Sequence, residues 1–141
     1  MSSEPAVQDQ PAVAGRAEVV NDFSIQVATV NGSGSQTANL VLIRSMFQMG
    51  IPVSGKNLFP SNIQGLPTWY TIRASKHGYI GRKREIDVLV CMNPETAEED
   101  VREARTGAHV VYEKKLGLEN PGKKRDDVTY YPVPFAELVV K

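Results

Sequence analysis

The chain has 141 residues, one domain's worth, with 41% hydrophobic and 23% charged residues, ordinary values for a globular protein. Its 16 Lys and Arg balance 16 Asp and Glu, so net charge gives no reason to expect nucleic acid or an anionic membrane as a partner. The one cysteine, Cys91, excludes an internal disulfide, a CxxC metal knuckle and an iron–sulfur cluster held by this chain, and it suits a reducing cytoplasm. No apolar run approaches the roughly 18 residues of a membrane span, and the N-terminus lacks the basic-then-apolar order of a signal peptide.

Residues 1–20 are rich in Ala, Pro, Gln, Ser and Glu and contain no aromatic residue. Such a segment buries too little apolar surface to offset ordering, which predicts a disordered N-terminal tail ahead of one domain over residues 21–141. Phe23, Ile25, Val27, Ala28 and Val30 predict a first strand over 23–30. A glycine-rich turn, Asn31-Gly32-Ser33-Gly34-Ser35-Gln36, follows at once. Ser33 and Gln36 have the spacing of a capping box. The helix they open runs to about Met49, with Gly50 as its stop. Leu40, Val41, Leu42, Ile43, Met46, Phe47 and Met49 surround most of its axis, which predicts packing on more than one side.

Residues 51–54 predict a short second strand, and 55–67 a long irregular loop with Gly55, Pro60, Gly65 and Pro67. Residues 68–74 have strong strand propensity. Lys76-His77-Gly78 reads as a turn into Tyr79-Ile80, hence an antiparallel hairpin. Residues 86–92 are apolar except for Asp87, the pattern of a buried central strand. Asn93 as cap, Pro94 at the first position and Glu95 in the first turn open a second helix that ends near Arg105. A strand over 109–112, a polar exposed stretch over 114–127 and a last strand over 128–133 follow. Residues 134–138 look like a helix opening. The pattern is cut there in mid-element, so the expectation is a truncated domain whose C-terminal part is missing. Removing a final helix or strand leaves apolar surface exposed, which predicts marginal stability in isolation. Strands alternating with helices imply an α/β fold: a mainly parallel open sheet flanked by helices, with an antiparallel hairpin portion.

Strand, tight turn and helix in that order expose helix N-terminal amides beside backbone without side chains, a place that suits a phosphate or another anion. Gly32 and Gly34 also fit the first two positions of a dinucleotide fingerprint, GxGxxG. The third falls on Thr37, where a β-branched side chain impedes close helix–strand packing. No acid stands about 20 residues on, where Val53-Ser54-Gly55-Lys56-Asn57 is found. No GK[ST] follows the turn, which excludes a P-loop. Three readings stay open for the glycines: a mere βα turn, an anion contact, or an NAD site. The long loop adds two amides, Asn62 and Gln64, with Lys56 and two glycines. It leaves a strand end and so can overhang the same sheet edge as the turn, where ligands of open α/β sheets collect.

At these residues the chain resembles a known family. Val30-Asn31-Gly32-Ser33-Gly34-Ser35, with the run from Gly50-Ile51-Pro52-Val53 through Gly65-Leu66-Pro67-Thr68-Trp69-Tyr70, is similar to the gamma-type domain at the N-terminus of the alpha subunit of 2-oxoacid:ferredoxin oxidoreductases. The 2-oxoglutarate type resembles it best. Asp87-Val88-Leu89-Val90-Cys91-Met92-Asn93-Pro94-Glu95-Thr96 continues the likeness, which covers about residues 23–135. The resemblance implies an enzyme component. Such enzymes oxidatively decarboxylate a 2-oxoacid to an acyl-CoA and pass electrons to ferredoxin. Thiamine diphosphate with magnesium, and iron–sulfur clusters, serve the full complex. Implied partners are a thiamine-binding beta subunit, the remainder of the alpha subunit, ferredoxin through the complex, and coenzyme A as co-substrate.

The resemblance also implies a role in coenzyme A contact and assembly. The candidate contacts are Gly32, Ser33, Gly34, Ser35, Lys56, Asn62, Gln64 and Gly65. No catalytic or metal-binding residue is expected, and the isolated chain is expected to be inactive, cytoplasmic and without a cofactor of its own. Lys56 is equally read as a solvated loop lysine, and Asn62 and Gln64 as loop-stabilising amides. Trp69 and Tyr70 are read as stacking on adenine, filling an interface or packing in the core, Arg73 as reaching a phosphate or a partner, and Cys91 as an inert buried thiol. His77 and His109 are too few and too far apart in sequence for a metal site or a triad. Two rival functions remain: a standalone nucleotide-binding α/β protein, and a purely structural subunit.

Overall fold

β1 (Asp22–Val30) organises the molecule, because most of it is buried and both of its edges are paired. The structure, a computed structural model, describes residues 21–59 and 63–139; the tail expected over 1–20 lies outside them. Along the chain, β1 is followed by α1 (Ser35–Gln48), β2 (Val53–Leu58), β3 (Pro67–Ser75), β4 (Val88–Cys91), α2 (Ala97–Glu103), β5 (His109–Glu113), β6 (Thr129–Val133) and α3 (Phe135–Leu138). Among the described residues the strands form one sheet in the order β2-β3-β1-β4-β5-β6. β1, β4, β5 and β6 run parallel to one another, while β3 is antiparallel to both β1 and β2. The expected α/β class, mainly parallel with an antiparallel hairpin portion, is what forms.

The members of the hairpin differ from expectation. β3 pairs with β2, Val53 opposite Ala74 and Leu58 opposite Trp69, and residues 79–80 form no strand. β2 runs on through Gly55-Lys56-Asn57-Leu58, so the connecting loop shrinks to residues 59–66. Glycine weakens a strand, yet here it is required. A Cβ at Gly55 would collide with Ile43 Cδ1 of α1 and lie 2.7 Å from Tyr70 Oη. The bare backbone lets α1 close onto the hairpin.

The two helices take opposite faces. Ile25 and Val88 are register partners and share a face in a parallel pair. Ile25 packs with Ile43, Met46, Ile72 and Ala74 under α1. The next register row, Gln26 and Leu89, points the other way, and Leu89 packs with Ala97, Val101 and Val110 under α2. α1 was expected to be packed on more than one side. Among the described residues only its Asn39 and Met46 are buried, while Val41, Phe47 and Met49 are 59%, 69% and 75% exposed. Its other flank meets no described element.

Helix boundaries follow local chemistry. The expected capping box does not form: Gly34 is the N-cap of α1, at φ 80°, and no side chain caps the helix. Gly50, at φ 80°, stops the helix as expected, and its N–H donates to Phe47 O at 2.9 Å. α2 begins at Ala97 rather than at Pro94. Asn93 Oδ1 accepts the Glu95 N–H at 3.0 Å, an Asx turn that holds 94–96 outside the helix. The interruption at Asp87 is structural. Its carboxylate accepts the Ser24 N–H at 2.8 Å and pairs with Arg105, tying β1 and β4 to the end of α2.

Candidate anion-binding site

Strand order reverses direction at β1. From its carboxyl end the chain turns through α1 towards β2 and β3, while β4 continues the sheet on the other side with α2 on the opposite face. Crevices of open α/β sheets form at such a point. The N-terminus of α1 stands in this one. Gly32 and Gly34 have φ of 85° and 80°, the left-handed region that glycine enters without cost from a Cβ.

The loop does overhang the glycine turn. The Asn31 N–H donates to Leu66 O at 2.8 Å, and the Gly65 N–H donates to Asn31 O at 3.0 Å. Asn31 Nδ2 donates to Ile63 O at 3.1 Å. A Cβ at Gly32 would lie 2.9 Å from Gln64 Cγ, so Gln64 lies directly against the turn. Gly65, at φ 90°, completes this two-way clasp.

Beneath the clasp is a cavity of about 310 Å³ lined by Asn31, Gly32, Gly34, Ser35, Gln36 and Thr37 from the turn and helix start. Thr29, Asn39, Asn57, Thr68 and Tyr70 close it from the sheet and helix. Thr29 Oγ1 and Ser35 Oγ are 2.8 Å apart, and Thr68 Oγ1 donates to Asn57 Oδ1 at 3.1 Å. One donor is left over. Asn39 is 6% exposed, yet its Nδ2 has no hydrogen-bond partner. A buried amide donor without an acceptor costs about 1–3 kcal/mol, and Asn39 is one of the residues between the cavity and an adjoining groove. At the start of α1 the Thr37 and Ala38 N–H groups donate to Gly34 O at 3.2 and 3.4 Å, while Ser35 and Gln36, which line the cavity, precede the first helical carbonyl partner.

The lining contains no acid, base or thiol. Hydroxyls, amides and helix N–H groups can bind an oxygen-rich or anionic group, and no carboxylate or imidazole lines the cavity to activate a hydroxyl as a nucleophile. The shifted ionisable groups lie elsewhere. Burial, and then Asp100, push the Cys91 thiol far up, which makes it inert. Burial also raises the Asp100 carboxyl, against hydrogen bonds from Thr96 and Trp69.

The expected site residues divide. Gly32, Gly34 and Ser35 line the cavity; Gln64 and Gly65 clasp the turn above it. Ser33 faces an adjoining groove with Ala38, Leu42, Val90 and Met92. Lys56 is not brought there. It neighbours Gly55, whose missing Cβ would face α1, so its own side chain takes the other sheet face, beside Thr71, Arg73 and Arg82. Asn62 lies outside the described residues. Trp69 is on the face away from α1, where its Nε1–H donates to Asp100 Oδ1 at 2.7 Å. Arg73 is engaged with Asp22 at 2.5 Å.

Sequence reasoning missed Asn39, Asn57 and Thr68. Asn39 carried a signal, since it stands four residues before Ile43 and seven before Met46, a polar residue on the stripe that packs. Asn57 was assigned to a loop, so the strand alternation that aims it at the cavity was hidden.

The family model for pyruvate ferredoxin/flavodoxin oxidoreductases matches residues 24–141. The chain belongs to that family. It is 28% identical over 92 residues to the alpha subunit of 2-oxoacid:ferredoxin oxidoreductase 2 from Aeropyrum pernix, which covers 65% of this chain and 14% of that subunit. The fold is similar to 2-oxoglutarate:ferredoxin oxidoreductase from Magnetococcus marinus, solved with 2-oxoglutarate, coenzyme A and succinyl-CoA bound. The TM-score is 0.75 at 24% identity, over 86% of this chain and 21% of the other. A pyruvate oxidoreductase subunit from Thermotoga maritima matches at TM-score 0.64 and 12% identity, over 86% of this chain and 66% of that one. This oxidoreductase-family chain therefore spans about a seventh of the Aeropyrum alpha subunit, about a fifth of the Magnetococcus chain and about two thirds of the Thermotoga subunit.

Proposed function

We propose that this chain is the gamma-type domain of a cytoplasmic 2-oxoacid:ferredoxin oxidoreductase. In this reading it holds the phosphate-bearing end of coenzyme A at the N-terminus of α1 and contributes to assembly. The observation that carries the reading is the start of α1, which has no side-chain cap and opens at Gly34 and Ser35 onto a cavity that Asn39 also lines. A phosphate oxygen can accept from the free N–H groups of such a helix start. Membership of the family and the coenzyme A bound by the Magnetococcus relative support coenzyme A over other anions. The whole complex would decarboxylate a 2-oxoacid such as 2-oxoglutarate to its acyl-CoA, with electrons passing to ferredoxin.

Thiamine diphosphate with magnesium, and iron–sulfur clusters, belong in this reading to other parts of the full complex, the remainder of the alpha subunit and the beta subunit included. Among the described residues no group of three or more His, Cys, Asp or Glu stands together to hold a metal. The residues present do not fit these groups, and no step is assigned through them. What the chain does is bind and orient. With no cation in the cavity, the helix end contributes about 0.3–1 kcal/mol and each charge-assisted hydrogen bond about 1.5–3 kcal/mol. Isolated-chain affinity should therefore be weak, with Kd on the order of 0.1–1 mM.

Calorimetry of the chain with coenzyme A, ADP and NAD tests this. Coenzyme A should give heat that falls at least fivefold in Asn39→Leu, while Lys56→Ala binds as the parent does. Heat from NAD alone would favour the standalone nucleotide-binding reading. Coenzyme A binding unaffected by Asn39→Leu would remove this cavity as the site.

A further inference from the structure

Strand parity carries Lys56 away from the glycine turn and gathers it with two arginines on the reverse face of the antiparallel half. Lys56 stands opposite Thr71, and Ser54 opposite Arg73, in the β2–β3 ladder. Arg73 stands opposite Ser24 in the β3–β1 ladder. The other face belongs to Gly55, Ile72 and Ala74, under α1. Residues 80–82 cross over the reverse face, where Ser54 Oγ donates to Ile80 O at 3.3 Å. Between that crossing and the sheet lies a cavity of about 570 Å³ whose charged lining is Lys56, Arg73 and Arg82. No carboxylate lines it.

The charges at this cavity are not balanced. Arg73 is 8% exposed, and a buried guanidinium needs partners. Its Nη1 donates to Phe23 O at 3.2 Å and to Ala74 O, and its Nη2 meets Asp22 at 2.5 Å. The Arg73 Nε–H is left without an acceptor among the described residues. Lys56 and Arg82 enter none of the ion pairs among the described residues. Three cations therefore face one carboxylate, that of Asp22. Arg82 also borders an adjoining pocket with Glu99 and Glu103, and it pairs with neither. Thr71, on the cavity wall, is 5% exposed and its hydroxyl has no hydrogen-bond partner, so the polar groups of the wall are not used up within the fold. A cleft lined by one sign of charge between low-dielectric walls concentrates the counter-ion.

We propose that this cavity binds a small dianionic oxyanion, a phosphate or a dicarboxylate, held by Lys56 and Arg82 with Arg73 at the wall. An oxyanion matches this set, because ammonium and guanidinium groups donate to it through short charge-assisted hydrogen bonds. The excess of cations over Asp22 favours a dianion over a monoanion. The site lies on the opposite face of the sheet from the cavity at α1, and it stands whether or not coenzyme A binds there.

The test is a titration of the full isotope-labelled chain, followed by its amide resonances, with inorganic phosphate, with succinate and with chloride at matched ionic strength. The Thr71 and Gly81 amides should shift and saturate with phosphate or with succinate, with Kd on the order of 1–10 mM, and should not saturate with chloride. Saturation by one of the two dianions alone supports the proposal and names the source of the oxyanion. Lys56→Ala and Arg82→Ala should each raise Kd at least fivefold, and Lys56→Arg should keep it within about twofold of the parent. Both positions are exposed, and the rest of the spectrum reports that the fold is kept. Lys124→Ala, on the exposed polar stretch, removes the same charge elsewhere and should leave Kd as in the parent. No saturable shift with either dianion, equal saturation with chloride, Lys56→Ala binding as the parent does, or Lys124→Ala weakening binding as much as Lys56→Ala would each overturn the proposal. The Ser35 and Gln36 amides report the cavity at α1 separately, so the failure of either site is seen apart from the other.

Discussion

The two halves of the sheet seat their helices on opposite faces. In the antiparallel half, β2, β3 and β1 put Ile25, Ile72 and Ala74 under α1, and their reverse face carries polar residues that are themselves buried, Ser24, Gln26, Thr71 and Arg73. In the parallel half, β4, β5 and β6 put Leu89, Cys91 and Val110 under α2, and their reverse face mixes Val88, Val90, Val111 and Tyr131 with His109, Glu113 and Thr129, none of them in a buried cluster. The boundary between them, at the carboxyl end of β1, is where a helix end is left uncovered and the cavity forms.

Neighbouring residues on one strand provide the largest test of this contrast. Leu89 is 0% exposed beneath α2, so Leu89→Ala should cost about 2–5 kcal/mol by leaving a cavity. Val90, next along the strand, belongs to the open face. Val90→Ala should cost under about 1 kcal/mol. Urea unfolding of both variants measures the difference; equal losses would dissolve the distinction between faces.

A second test concerns the antiparallel half. Gly55→Ala should cost about 1–3 kcal/mol, because its Cβ would drive into Ile43 and Tyr70. Gly81→Ala, with nothing within 4 Å, should be within about 0.5 kcal/mol of the parent. If Gly55→Ala melts with the parent, α1 is not seated on β2 as described.

The strand periodicities, the glycine turn and the helix stop at Gly50 were legible because each is a local property of the residues themselves. The overhang of the turn by the loop was legible too, from a strand end shared at one edge. Pairing was not. β2 reads as a loop because Gly55-Lys56-Asn57 is polar and glycine-bearing, and only the partner strand β3 makes it extended. The helix start at Ala97 was lost for a related reason, since the Asn93 side chain caps a turn as readily as a helix. Lys56 looked like a ligand at the glycine turn because a loop position has no parity, whereas a strand position does.

Asp100 joins the halves through Trp69, and its loss should be intermediate in size. Asp100→Ala removes the acceptor of Trp69 Nε1–H at 2.7 Å and of Thr96 Oγ1–H at 2.8 Å. A cost of about 1–3 kcal/mol follows from the orphaned donors, with a change in Trp69 fluorescence. Unfolding that matches the parent, with unchanged emission, would show that the two halves do not communicate there.

The smallest effect is a pH dependence at the far edge of the parallel half. Arg125 donates from Nη1 to Val101 O at 2.6 Å and Ala104 O at 2.8 Å, satisfying the last carbonyls of α2. Asp127 holds that guanidinium through Nε at 2.9 Å. Hydrogen bonds from Arg125 and then Thr106 lower its carboxyl to about 2. A depressed carboxylate contributes stability above its unfolded value, near 3.8, and loses that contribution as pH falls towards about 2. Asp100 acts with the opposite sign. Burial raises its carboxyl, so its ionisation weighs against the fold above the ordinary carboxylate range and the penalty lifts as pH falls. Asp127→Asn should therefore flatten the acid side of a stability–pH curve, and Asp100→Asn should steepen the loss. Both are read as melting temperature between pH 5 and pH 2.5. Because Asp127 is solvent-exposed, its share should also shrink in high salt. An acid limb identical in Asp127→Asn and parent would mean that the helix-capping arginine holds its place without its carboxylate.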